Sequence, residues 1–110
     1  MPACSITKLS RREIEHAFSQ AIKVESNIYF TMLRADPLFE YKEGKILILI
    51  PKKVGSAPQR NKLRRRIKEI ARKAELEKKV YVWIIIARKE NRNFEFQRLR
   101  EFILRGLSKK

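Results

Sequence analysis

Two stretches of this chain have almost nowhere to go but the inside of a sheet. "KILILI", Lys45–Ile50, is apolar from its second residue to its last, and "VYVWIIIA", Val80–Ala87, is apolar throughout. Neither alternates with polar residues, so each asks for cover on both faces, as a strand between helices has. Both are far shorter than the ~18 apolar residues of a membrane span. Pro51 closes the first run, since proline cannot continue a ladder of backbone hydrogen bonds.

Between them lies "PKKVGSAPQRNKLRRRIKEIARKA", Pro51–Ala74, with ten basic residues and one acid. Ser56 and Gln59 form a capping box, and Pro58 falls in the first turn, where its missing N–H costs nothing. The spacing predicts a helix running to about Lys73 or Glu77. Leu63, Ile67, Ile70, Ala71 and Ala74 recur at i, i+4, i+7, i+8 and i+11, an apolar stripe that seats the helix on the sheet. Asn61, Arg64, Arg65, Lys68 and Arg72 form a second stripe, and Lys62, Arg66, Glu69 and Lys73 a third. Like charges four apart, such as Arg64 and Lys68, destabilise an isolated helix. An ordinary solvated face intersperses acids, as "EIEHAFSQ" does, so phosphate binding accounts better for this one. Arginine forks match phosphate oxygens, and the helix start beside Gly55 adds backbone donors, with Lys52 and Lys53 extending the charge.

The flanking segments complete one domain. In "LSRREIEHAFSQAI", Ile14, Ala17, Phe18, Ala21 and Ile22 mark one face of a first helix, with Ser10 and Glu13 as capping box. "NIYFTMLRA", Asn27–Ala35, reads as a strand, and "DPLFEYKEGK" as a loop with room for a short strand around Phe39–Lys42. "NFEFQRLREFILRGL" closes as a helix with Phe96, Leu99, Phe102 and Ile103 on its apolar side and Gly106 near its end. The order α-β-β-α-β-α gives an α/β (α+β) two-layer sandwich, helices on a small mixed sheet with a β-α-β crossover. Its 110 residues suit a single domain, 1–110.

Charge decides the class of partner. Lys and Arg number 27 against 12 acids, a net +15 that opposes compactness unless a polyanion neutralises it. Nucleic acid leads. A membrane surface would need larger apolar anchors than the basic helix offers, so no membrane partner is expected. Cys4 is the sole cysteine, which fits a reducing cytoplasm, and "MPACSITKLSRRE" has no secretory apolar run. His16 and Asp36 are alone of their types, and the glutamates are scattered. No nucleophile–base pair or carboxylate cluster suggests catalysis by the protein, and no small-molecule substrate is expected.

"KKVGSAPQRNKLRRRIKE" resembles the signature of the bacterial ribonuclease P protein subunit, and "LSRREIEHAF" and "VYVWIIIARK" are similar to that family's first helix and last strand. The resemblance implies a left-handed β-α-β crossover, where general rules favour the right hand. It implies an accessory role in an endoribonuclease whose RNA subunit removes the 5′ leader of precursor tRNA, with Mg²⁺ held mainly by that RNA. It carries RNA binding onto Lys52, Lys53, Gly55, Arg60, Asn61, Lys62, Arg64, Arg65, Lys68 and Arg72. At Lys62 and Lys68 the family's arginine forks are replaced by point charges. It places a leader cleft between first helix and sheet, at Ile14, Phe18, Phe30 and Met32. For Phe18 and Phe30, plain core packing is the competing reading. The alternative for the whole chain is a ribosomal-type RNA-binding protein with no part in tRNA processing.

Overall fold

The computed structural model describes residues 9–36, 44–76, 81–88 and 96–108. Helix α1, Arg11–Gln20, starts at Ser10, whose hydroxyl accepts the Glu13 N–H at 3.2 Å while the Glu13 carboxylate accepts the Ser10 N–H at 3.0 Å. The capping box is thus closed in both directions. The helix stops one turn short of its apolar pattern. Ile22, expected on its face, instead opens strand β1, Ile22–Ser26, and is 53% exposed.

Asn27 turns the chain. Its side-chain oxygen accepts the N–H groups of Tyr29 and Phe30, each at 2.8 Å, and its own N–H donates to the Phe30 carbonyl at 2.9 Å. Strand β2, Phe30–Ala35, then runs back antiparallel to β1. Strand β3, Lys45–Leu49, precedes a 3₁₀ turn at Lys52–Val54 and helix α2, Ala57–Lys73. Strand β4, Val82–Ala87, and helix α3, Phe96–Ser108, complete the order. The fourth strand therefore lies at 22–26. The one considered near Phe39–Lys42 falls outside the described residues.

The sheet order is β1-β2-β4-β3, with β2 antiparallel and β3 parallel to β4. A parallel pair cannot be joined by a tight turn, and α2 makes the crossover. Side-chain alternation splits the sheet residues between two faces. Phe30, Met32, Ile46, Trp83 and Ile85 pack with Leu63, Ile67 and Ile70 of α2 and Leu99, Phe102 and Ile103 of α3. Ala35, Val82 and Ile84 pack on the other face with Ala17 of α1. So α2 and α3 with the sheet form the expected two layers, and α1 lies across the back.

Close approach of α3 to β2 depends on Gly106. This residue is buried within α3, near its end as expected, and a Cβ there would collide with the sulfur of Met32. Its neighbour contact is Phe102 against Phe30, with ring centroids 5.8 Å apart.

Candidate nucleic-acid interface

Helix α2 is seated as its apolar stripe requires. Leu63, Ile67, Ile70 and Ala71 are buried, while Ala74 is the C-cap and half-buried. Its start is fixed by Ser56 and Gln59. The Ser56 N–H donates to Gln59 Oε1 at 2.9 Å, and the Gln59 N–H donates to the Ser56 hydroxyl at 3.4 Å. That amide oxygen lies where a Cβ on Gly55 would stand, 2.5 Å away, so the glycine leaves room for the cap. The Arg60 Nε donates to the Gly55 carbonyl at 3.2 Å, tying the first turn to the incoming chain.

The polar sides divide by exposure. Asn61, Lys62, Arg65 and Arg72 are exposed, as are Lys52 and Lys53 just before the helix. Arg64 and Lys68 are half-buried and line a recess with Ile46, Leu47 and Ile48 of β3. Arg64 also donates to the Asn61 side-chain oxygen at 3.1 Å, which holds its guanidinium along the helix. The helix's one acid, Glu69, takes Lys73 at 3.1 Å in an exposed pair. Lys62, Arg65, Lys68 and Arg72 have no ion-pair partner among the described residues. Of these, Lys62, Arg65 and Arg72 face outward, and Glu69, the helix's one acid, is paired with Lys73 instead.

A second candidate surface lies under α1. Beyond the buried Ala35, Val82 and Ile84, that sheet face carries Leu33, Leu47, Leu49 and Ile86, all only half-buried. One ten-residue helix does not cover four strands. Phe18 is 44% exposed and Ile14 half-buried on the same helix. Phe30 and Met32, expected in this cleft, are not there. Both are fully buried on the opposite face, Phe30 against Phe102 and Met32 under Gly106. The reason is the two-residue period of a strand: counting that lands one residue off selects the wrong face. Thr31, Leu33 and Ala35 are the β2 residues whose alternation puts them on the α1 side.

At the end of the sheet where β4 finishes, an open depression joins Ser26, Asn27, Ile28, Lys53, Ile86 and Arg88. Ile86 is shared with the half-covered face, so the cations Lys53 and Arg88 stand at its margin. Arg88 and the β1–β2 turn were not among the expected site residues. The dipeptide "AR" after the apolar run was the only signal available.

Glu13 and Lys45 join α1 to β3 through an ion pair of 3.4 Å between largely buried side chains. Burial acts to raise the Glu13 pKa. The Ser10 N–H and hydroxyl and the Lys45 ammonium outweigh it, and the carboxyl stands below the usual glutamate range.

Known proteins share this α+β fold. The Ribonuclease P family model matches residues 7–110, and the chain belongs to that family. Among solved structures it is similar to the RNase P protein of Thermotoga maritima, at 26% identity and a TM-score of 0.72 over 92% of this chain and 94% of that one. It is also similar to the RNase P protein of Staphylococcus aureus, at 20% identity and a TM-score of 0.77 over 94% of this chain and 93% of that one. Comparison with curated proteins gives no match.

Proposed function

We propose that the chain is the protein subunit of ribonuclease P, binding the catalytic RNA through α2 and holding the 5′ leader of precursor tRNA on the half-covered face beneath α1. The observation that carries this reading is the outward array of Lys62, Arg65 and Arg72 on a helix with a single acid, in a member of this family.

Each phosphate that such a cation neutralises releases condensed counterions, so affinity falls steeply with salt. The apolar floor of Leu33, Leu47, Leu49 and Ile86 suits unstacked bases better than a duplex, whose bases are hidden in the helix. Phe18 offers an aromatic surface at the edge of this floor, and Lys53 with Arg88 can take the backbone where the strand leaves. Mg²⁺ held mainly by the RNA supplies the hydrolytic chemistry. The protein's residues position the substrate and screen phosphate repulsion. Among the described residues, no three His, Cys, Asp or Glu side chains gather in a metal-binding group. No helix of the described residues is long and apolar enough to cross a membrane.

Reconstitution with a bacterial ribonuclease P RNA at low Mg²⁺ tests this. Added protein is expected to lower the Mg²⁺ needed for leader cleavage and to favour precursor over mature tRNA. Binding to RNA without any change in cleavage would return the chain to the ribosomal-type alternative. Arg65→Ala is expected to make the salt dependence of RNA binding shallower by ~0.7–0.9 in log–log slope. Phe18→Ala is expected to weaken precursor binding more than mature tRNA binding; equal loss for both would mark Phe18 as packing only.

A further inference from the structure

In a chain of net charge +15, the one buried charged residue among those described is an acid, Glu13, 8% exposed. Its two carboxylate oxygens do different things. Oε1 accepts the Ser10 N–H at 3.0 Å and closes the cap of α1. Oε2 meets Lys45 Nζ at 3.4 Å, thirty-two residues further along the chain and at the first position of β3. The cap itself needs only Oε1. The second oxygen is spent on a tertiary link between the start of α1 and the outer part of the sheet.

The rest of α1 grips weakly. Its only fully buried apolar residue is Ala17, which has no reach, while Ile14 is half-buried and Phe18 is 44% exposed. The added contacts, Leu9 and Ala21 just beyond its two ends, are only half-buried, and aliphatic contacts of this kind do not fix how a helix lies on a sheet. A partly buried ion pair adds little net stability, because desolvation offsets most of the attraction, but it fixes one geometry against others. Here the geometry fixed is the lie of α1 across the face that carries Leu33, Leu47, Leu49 and Ile86.

Building on the proposed function, we infer that Glu13 and Lys45 are positioning residues: their ion pair latches α1 onto β3 and sets the width of the cleft that takes single-stranded RNA. The latch acts on how tightly leader is held. It takes no part in holding the catalytic RNA, which meets the far side of the molecule at α2.

The test uses full-length protein reconstituted with a bacterial ribonuclease P RNA, and precursor tRNAs bearing either a leader of several nucleotides or a single-nucleotide leader. Lys45→Met is expected to raise KM for the long-leader substrate about tenfold, the order of one lost base-stacking contact. It should leave kcat, affinity for the RNA subunit and KM for the short-leader substrate unchanged. Lys45→Arg should restore most of the loss, because it keeps the charge. Glu13→Gln should resemble Lys45→Met. An unchanged long-leader KM in Lys45→Met overturns the inference, as does an equal loss on both substrates. Amide exchange in the free protein separates the latch from the proposed function. If wild-type protein fails to assist cleavage, that function is wrong, and the latch then stands or falls on whether Lys45→Met speeds exchange in α1 while sparing α2 and α3.

Discussion

Glu13 shows how one side chain ties a local rule to a pH dependence. Its folded carboxyl is held below the ordinary glutamate value of about 4.3 by Ser10 and Lys45. The stability it contributes is therefore present above that ordinary value and lost as pH falls through the lower folded one. Glu13→Gln is expected to unfold at lower denaturant than wild type at neutral pH, with the gap closing as pH falls below the ordinary glutamate range, as read from urea midpoints. Gly106 makes the opposite kind of demand. A methyl group there meets the Met32 sulfur inside a packed face. Gly106→Ala is expected to cost ~1–3 kcal/mol in urea unfolding, the usual range for overpacking, and Met32→Ala in the same chain should recover part of it. Full additivity of the two substitutions would show that they do not touch.

At the scale of elements, α2 was legible in full because three independent signals agreed: cap residues, apolar period and an early proline. Its two sides should separate cleanly in experiment. Ile67→Ala, fully buried, is expected to lose ~2–5 kcal/mol of stability, whereas Arg65→Ala should stay within ~0.5 kcal/mol and weaken RNA binding instead. A large stability loss for Arg65→Ala would mean that it packs rather than projects. Strand β1 was not legible. Ile22 continues the helical phase of Ile14 and Phe18, and no glycine or proline marks the break. The turn is made by the Asn27 side chain, a weaker signal than either. The same miss carried into the candidate cleft. Without β1 and its register the sequence has no anchor for deciding which face of β2 turns toward α1: Met32 falls on the other side, and for Phe30 the competing reading of core packing is the one that holds. The cationic site was readable because charge on a helix needs only a wheel. The cleft was not, because it depends on which of two faces a distant helix covers.

For the whole molecule, net charge is the dominant background. With +15 on a small domain, self-repulsion opposes folding, and added salt screens it. The melting temperature of the free protein is expected to rise between about 0.05 and 0.5 M NaCl, while RNA affinity falls over the same range. A melting temperature that drops with salt would mean that ion pairs such as Glu25–Arg105, at 3.2 Å, outweigh the repulsion.

The strand order carries a further consequence for how the molecule comes into being. Strand β4 is bonded to β2 on one side and β3 on the other, yet among the described strands it is the last to be made. Until residues 82–87 leave the ribosome, the β1–β2 hairpin and β3 have nothing to join them. The arginine-rich helix emerges before the surface that will anchor it. The nascent chain thus offers its cations to any nearby RNA while still unfolded, and the domain can close only when its final quarter arrives.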